Sequence, residues 1–335
     1  MWESPNLNHL RGALVGLTVG DALGATVEFL SAEEITSHGY DVGKMTASHV
    51  RHLPAGAWTD DTSMALCLAD SLLECGGYDS WDVMAKYLQW QYEGYRSSVG
   101  YCFDIGGQVD RALVRFDQKD PVIKKGEPRE WSAGNGAIMR LAPVVIAAAN
   151  HQTIEQVMRL AQVSARETHY SEEAEAGAEL FAAMLYRALR LKDKNEIVDV
   201  AQFATYSKYS AVYNDILKRV MATSQRHHEK QLRNLGGYIV DALKIAVWGF
   251  LNHDDFRDGA VAVIKLGHDT DTNAAIYGQL AGAYYGYDAI PKDWRDKTIR
   301  EPEIKELADK LAAMKSCPIL DTRFEEDELR TDFAG

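Results

Sequence analysis

Trp58-Thr59-Asp60-Asp61-Thr62 and Gly267-His268-Asp269-Thr270-Asp271-Thr272 are two short bursts of carboxylates and hydroxyls, each followed at once by an apolar run. Behind Thr62, residues Ala65, Leu68, Ala69 and Leu72 recur three and four apart, and behind Thr272 so do Ala275, Ile276, Leu280 and Tyr284. That spacing is the period of an amphipathic helix. Both clusters are therefore expected at helix N-termini, where side-chain oxygens cap free N–H groups and the helix dipole favours negative charge. One such cluster is an ordinary cap. Two, with four carboxylates between them, admit a second reading. If the fold brings them together, their repulsion calls for a cation between them. Spacing alone leaves both readings open.

Upstream of the first cluster, Gly12, Gly16, Gly20 and Gly24 fall every four residues, on one helical stripe. Each glycine weakens a helix by about 1 kcal/mol relative to alanine, so four on one stripe point to a close-approaching backbone. Gly278, Gly282 and Gly286 repeat the pattern behind the second cluster. Close packing of these two helices near the centre is expected, with an incidental glycine-rich stretch as the plainer alternative. Helical patterns also cover residues 10–29, 62–74, 80–93, 107–116, 137–149, 153–165, 171–191, 211–221 and 238–251. Residues 31–57 read as irregular and end in the turn-like Pro54-Ala55-Gly56. Alternating strand patterns are scarce and there are only eight prolines. The fold class that follows is all-α, a compact many-helix domain. The polar stretch around 192–235 is read as outer helices and loops of a single domain, 1–335, with an acidic tail at 316–335.

The chain has 335 residues, 46% of them hydrophobic, enough for a large core. A net charge of −13 argues against a nucleic-acid-binding surface, but not against a small anionic ligand met by a metal and backbone N–H groups. Cys67, Cys75, Cys102 and Cys317 form no C-x-x-C pair. They are neither a disulfide framework nor a zinc site, and suit a reducing cytoplasm. Residues 14–25 are apolar, but Asp21 interrupts them and Arg11 is the only nearby positive charge, so a buried helix is read there and not a signal segment. No uninterrupted apolar run approaches the ~20 residues of a membrane span. A soluble, cytoplasmic protein is expected.

As a metal site, the two clusters offer oxygen ligands only: Thr59, Asp60, Asp61, Asp269, Asp271 and Thr272. Hard oxygen donors suit Mg²⁺, Mn²⁺ or Ca²⁺, not zinc or copper. Four carboxylates exceed what one Mg²⁺ usually takes from protein, so two ions sharing ligands are consistent with the set, and paired ions can orient a substrate and activate a water. His268-Asp269 and His253-Asp254 hint at a metal phosphohydrolase, but further histidines are not clearly spaced; a histidine in such a setting more often supports a ligand or packs. Two glycine-bearing loops, residues 97–107 and Ser132-Ala133-Gly134-Asn135-Gly136, open helices. Each can bring N–H groups to a phosphate, or be a plain helix-entry turn. Neither carries a nucleotide fingerprint. Phe103 and Tyr238 can stack on a base, although aromatics at helical spacing are usually core.

Taken together, these motifs resemble the ADP-ribosylglycohydrolase family, in the family's order from Gly12 to Gly286. The resemblance rests on Gly20-Asp21-Ala22-Leu23-Gly24 followed by Glu28, on Trp58-Thr59-Asp60-Asp61-Thr62, on Gly134-Asn135-Gly136-Ala137-Ile138-Met139-Arg140, and on residues 267–272. Cys102-Phe103-Asp104-Ile105-Gly106 and Gly237-Tyr238-Ile239-Val240-Asp241 are most similar to the bacterial branch that includes the dinitrogenase reductase-activating glycohydrolase. The resemblance implies an orthogonal all-α fold with two Mg²⁺ (or Mn²⁺) ions held by Thr59, Asp60, Asp61, Asp269, Asp271 and Thr272. It implies catalytic roles for Asp104, Glu28 and Asp61. It implies substrate contacts from Gly100, Tyr101, Cys102, Phe103, Ile105 and Gly106, from Gly134, Asn135 and Gly136, from His169, and from Tyr238 stacked on adenine.

The activity so implied is hydrolysis of the N-glycosidic bond of ADP-ribosylated arginine on a protein, with ADP-ribose as product. Its partner would be a modified target protein, in a regulatory role or as immunity against a toxin. Hydrolysis of another ADP-ribose linkage (serine, nucleic acid or small molecule) is a second reading. A non-catalytic blocking protein of the same fold is a third, disfavoured by the intact carboxylate set.

Overall fold

The computed structural model describes residues 4–118, 122–123 and 133–324. Among them run sixteen α-helices: α1 (Leu7–Gly24), α2 (Ala32–Ser37), α3 (Asp60–Cys75), α4 (Ser80–Glu93), α5 (Gly107–Asp117), α6 (Ala142–Ala148), α7 (Ile154–Arg166), α8 (Glu172–Ala188), α9 (Lys194–Val198), α10 (Ser210–Met221), α11 (Glu229–Leu232), α12 (Ile239–Asn252), α13 (Phe256–Ile264), α14 (Thr270–Tyr285), α15 (Lys292–Arg295) and α16 (Glu301–Ala312). Two short strands, β1 (Tyr78–Asp79) and β2 (Ile319–Asp321), pair in parallel. The all-α class is confirmed.

At the centre, α1 and α14 run antiparallel in backbone contact. A Cβ placed on Gly12 would lie 2.1 Å from the Gly282 carbonyl oxygen, and one on Gly16 would lie 2.3 Å from that of Gly278. Reciprocally, a Cβ on Gly282 would stand 1.9 Å from the Gly12 oxygen. The stripe continues as Gly20 against Ala274 and Gly24 against Thr270. The glycine patterns thus have the tertiary cause expected of them. Every residue of α1 from Gly12 to Gly24 is buried, and every residue of α14 from Thr270 to Ala283. α12, α13, α16 and α3 pack around the pair. This zipper sets the C-terminal end of α1 against the N-terminal end of α14, where the Thr270 hydroxyl donates to the Gly24 carbonyl at 2.8 Å.

Three boundaries differ from the sequence reading. The first helix ends at Gly24, not residue 29, because the chain then turns to pair with the segment before α14. Phe29 N donates to His268 O and His268 N to Leu30 O, both at 2.7 Å. The stretch read as irregular contains α2, started by a capping box between Ser31 and Glu34. Residues 137–149 are not one helix: a 3₁₀ turn (Asn135–Ala137) precedes α6, which begins at Ala142 with Pro143 in its first turn. Proline lacks the N–H and clashes with the preceding turn, so a helix cannot run through it. The polar stretch 192–235 holds α9, α10 and α11, with α10 packed on α8 and α12. Of the acidic tail, residues 316–324 are described, including β2; residues 325–335 lie outside the described part.

Candidate active site

The site is organised by Asp21 of α1. Its Oδ1 accepts from Thr59 N and from the Thr59 hydroxyl, each at 2.9 Å. Its Oδ2 accepts from Thr62 N at 3.0 Å and from the Thr62 hydroxyl at 2.6 Å. One buried carboxylate from a distant helix therefore caps α3, and Thr59 itself makes no capping bond. Asp269, at the N-cap of α14, makes none either. Both acidic clusters do sit at helix N-termini, but neither Thr59 nor Asp269 spends its side chain on capping.

Those side chains converge. The Thr59 hydroxyl lies 3.1 Å from Asp61 Oδ2 and 3.1 Å from Asp271 Oδ2, and Thr272 Oγ1 lies 3.5 Å from Asp61 Oδ2. Thr59 has one hydroxyl hydrogen, so it can satisfy only one of the three carboxylates around it. Asp61 Oδ1 and Asp271 Oδ1 are buried with no hydrogen-bond partner. Carboxylate oxygens of Asp21, Asp61 and Asp271 lie within 4.8 Å of one another, as do those of Glu28, Asp104 and Asp271.

Burial, reinforced by neighbouring carboxylates, pushes Asp60, Asp61 and Asp271 well above the usual carboxylate range. Burial lifts Asp21 to about 6 against the pull of its four hydrogen bonds, and lifts Glu28 to about 7 against its bond to Arg51. Asp104 is raised by burial and held back by Arg51. Buried, partnerless carboxylate oxygens are costly unless protonated or coordinated. The donor set is all oxygen, so the residues present fit a hard divalent cation.

A cavity of about 540 Å³ opens beside this cluster. Its acidic lining is Glu28, Asp60, Asp104, Asp269 and Asp271 with Thr272; its glycine lining is Gly106, Gly107, Gly134, Gly136 and Gly237. Gly106 starts α5 without a side-chain cap, which suits an anion at that N-terminus. A Cβ on Gly134 would lie 2.8 Å from His169 Nε2, and one on Gly136 2.8 Å from His169 Cε1. Glycine is therefore what lets the loop lie against the imidazole. His169 is held by the Thr168 hydroxyl, 2.8 Å from Nδ1, and Thr168 accepts from buried Arg140 at 2.5 Å. Burial lowers the His169 pKa to about 3, so the ring is neutral. Asn135 ties the glycine loop to the acid cluster by donating to Asp269 Oδ2 at 2.7 Å.

Of the residues singled out from the sequence, Ile105, Gly106, Gly134, Asn135, Gly136 and His169 line the cavity. Thr59 and Asp61 are buried within the acid cluster without lining it. Gly100, Tyr101, Cys102, Phe103 and Tyr238 are not in the lining. Tyr101 is 59% exposed, edge-on to Phe103. Tyr238 donates its hydroxyl to Glu173 at 2.5 Å, and the Arg219 guanidinium lies 5.4 Å from its ring centre. His268 lines the cavity, whereas His253 packs edge-on against Trp248. Asp21, quoted only within the Gly20–Gly24 motif, was given no role in the site, and Arg51 was missed. The signal for Asp21 was the lone carboxylate in an apolar run; Arg51, in an irregular stretch, gave none.

A prediction on cations arises here. A carboxyl whose folded pKa is raised adds stability below its unfolded value near 4, and that stability is lost as pH rises through the folded value. For Asp21 and Glu28 the window runs from about 4 up to about 6 and about 7. Chelator-treated protein should therefore melt at lower temperature at pH 8 than at pH 5.5. Adding Mg²⁺ should raise the melting temperature strongly at pH 8 and weakly at pH 5.5, where protons compete for the same oxygens. Scanning calorimetry at both pH values checks this; equal melting with and without cation at pH 8 would remove the metal assignment.

The family model for ADP-ribosylglycohydrolase matches residues 3–318. ADP-ribosylarginine hydrolase Tri1 of Serratia proteamaculans (strain 568) is 33% identical over 315 residues, covering 93% of this chain and 81% of that protein. ADP-ribosyl-(dinitrogen reductase) glycohydrolase of Rhodospirillum rubrum is 30% identical over 305 residues, covering 90% and 95%. A chain of a solved ADP-ribosylglycohydrolase-related protein complex superposes with a TM-score of 0.76 at 36% identity, covering 92% of this chain and 98% of that one.

Proposed function

We propose, since this chain belongs to the ADP-ribosylglycohydrolase family, that it hydrolyses the N-glycosidic bond between ADP-ribose and an arginine side chain of a protein. The observation that carries this reading is the buried acid cluster, with Asp61 Oδ1 and Asp271 Oδ1 unpartnered, beside a glycine-lined cavity. The linkage comes from its similarity to two ADP-ribosylarginine hydrolases named Tri1. Two Mg²⁺ or Mn²⁺ ions held by Thr59, Asp60, Asp61, Asp269, Asp271 and Thr272 would, when bound, orient the ribose hydroxyls and acidify a water.

The chain's own residues do the rest. N–H groups at Gly106, Gly107, Gly134 and Gly136 receive the diphosphate, while that of Asn135 is spent on the Gly237 carbonyl. Neutral His169, fixed by Thr168, packs under the second glycine loop and offers a hydrogen bond without adding charge. Asp104 holds the guanidinium while the anomeric C–N bond breaks with oxocarbenium character. Glu28, which burial raises above the usual carboxylate range in the metal-free protein, is the second carboxyl at the linkage able to take or give a proton. Water adds at the anomeric carbon, its proton passes to the departing nitrogen, and free ADP-ribose and arginine result. No helix among the described residues is long and apolar enough to cross a membrane. The free cysteines Cys67, Cys75, Cys102 and Cys317 suit work in the reducing cytoplasm.

The test is release of ADP-ribose from an arginine-ADP-ribosylated protein, with Mg²⁺ and with excess chelator. Release that the chelator abolishes is the expected result. Inertness on arginine together with turnover of a serine-linked substrate would reassign the linkage. Asp104→Ala should lower turnover about a thousandfold, the scale of general acid–base catalysis. It should leave cation binding by calorimetry largely intact, and wild-type turnover in that variant would strip Asp104 of its role.

A further inference from the structure

Arg51 makes a dense set of charged contacts with residues that line the cavity. It sits in a tight turn closed by Ser48 N donating to Leu53 O at 2.9 Å, and the Ser48 hydroxyl accepts from Arg51 N at 3.0 Å. The turn is pinned by His49 N donating to Thr26 O at 2.9 Å and by the stacking of His49 on Tyr40. From this base Nε of Arg51 donates to Glu28 Oε2 at 2.5 Å, and Nη2 donates to Glu28 Oε1 at 3.0 Å. Nη2 also pairs with Asp104 Oδ2 at 2.8 Å. The guanidinium lies 4.8 Å from the centre of the Phe29 ring. Two carboxylates and an aromatic face are the receptor a planar, five-donor cation requires. Glu28, Asp104 and Phe29 all line the cavity.

We propose that Glu28, Asp104 and Phe29 form a guanidinium subsite whose resident occupant is Arg51, so that a substrate arginine binds by displacing Arg51 from the two carboxylates. This deepens the arginine reading and rests on it. The backbone of the turn is anchored, so the exchange is a swing of one side chain, not the opening of a loop. Arg51 keeps the buried Glu28 and the half-buried Asp104 paired while no substrate is bound, and an incoming guanidinium replaces like with like. A serine-linked ADP-ribose brings no cation and would leave Glu28 and Asp104 unpaired if it expelled Arg51. The occupant therefore selects for arginine at the expense of affinity, because binding is weakened by the fraction of sites that Arg51 holds.

The experiment compares wild type, Arg51→Ala and Arg51→Lys, all Mg²⁺-loaded, on arginine-ADP-ribosylated peptide. Agmatine, a free guanidinium, serves as a second probe by calorimetry. In Arg51→Ala, KM for the arginine-linked substrate should fall about tenfold without a matching fall in kcat, and agmatine should bind about tenfold more tightly. The serine-linked substrate should show no such gain. Arg51→Lys keeps the charge but not the fork, and should lie between the two. An unchanged or raised KM, or a collapse of kcat, would overturn the proposal and make Arg51 a positioning residue for Glu28 and Asp104. If wild type is inert on arginine-linked substrate, the function reading falls on its own. Agmatine then still decides the subsite, and equal affinity in wild type and Arg51→Ala overturns it.

Discussion

Asp61→Asn should lower ADP-ribose release roughly a thousandfold and, in the absence of any divalent cation, raise the melting temperature. The two effects have opposite signs for one reason. Asp61 is fully buried, its Oδ1 has no partner, and its Oδ2 shares one threonine hydroxyl with Asp21 and Asp271. Without a cation it must be either a buried charge among other acids or hold a proton, and its pKa is pushed up accordingly. The amide removes that repulsion and can donate to Asp271, so the metal-free fold gains. With a cation the logic inverts: a charged ligand is lost, and the amide's N–H groups face the ion. Calorimetry with and without Mg²⁺ separates the cases. A variant that melts lower under both conditions is merely damaged, and one that still gains wild-type stabilisation from Mg²⁺ removes Asp61 from the metal set.

The largest effect on stability should come from Gly282→Ala. On helix propensity alone this change favours folding by about 1 kcal/mol. At this position the new methyl would stand 1.9 Å from the Gly12 carbonyl oxygen, and its neighbours are backbone atoms that cannot rotate away. Relief requires α1 and α14 to part along a buried seam. Overpacking of this kind costs about 1–3 kcal/mol and more where nothing can yield, so a net loss of about 3 kcal/mol is expected from urea unfolding. Because the same seam sets Asp21 against the N-terminal end of α14, Mg²⁺ affinity should fall with stability. A Gly282→Ala protein as stable as wild type would mean that the helices are not in backbone contact there.

That seam was legible in the sequence because it is periodic twice over: Gly12, Gly16, Gly20 and Gly24 match Gly278, Gly282 and Gly286 in spacing. A four-residue glycine repeat in a buried helix has few causes other than a second backbone. The acidic clusters were legible as helix starts for the same local reason. What could not be read was what caps them. Asp21 lies 38 and 41 residues from the threonines it holds, and nothing in an apolar run announces that its one carboxylate is aimed at another helix. Arg51 was hidden more completely, since it lies in no repeat and its partners Glu28 and Asp104 come from separate turns. Pro143 was a local signal that the helical pattern over 137–149 overrode. For Tyr238, its aromatic character was legible but not the guanidinium of Arg219 over its ring.

The antiparallel seam also dictates when this protein can first work. Thr59 and Asp271 meet across 212 residues of chain. A ribosome adding about 5–20 residues per second needs about 10–40 s to cover that interval. For that time α1 has left the tunnel with its glycine face bare, and half of the acid cluster has no counterpart. The nascent chain is thus catalytically silent until α14 emerges, and a product truncated before α14 carries a complete first cluster yet can never assemble the site. Activity therefore waits on α14, an arrangement that keeps copies cut short before it from turning over any substrate.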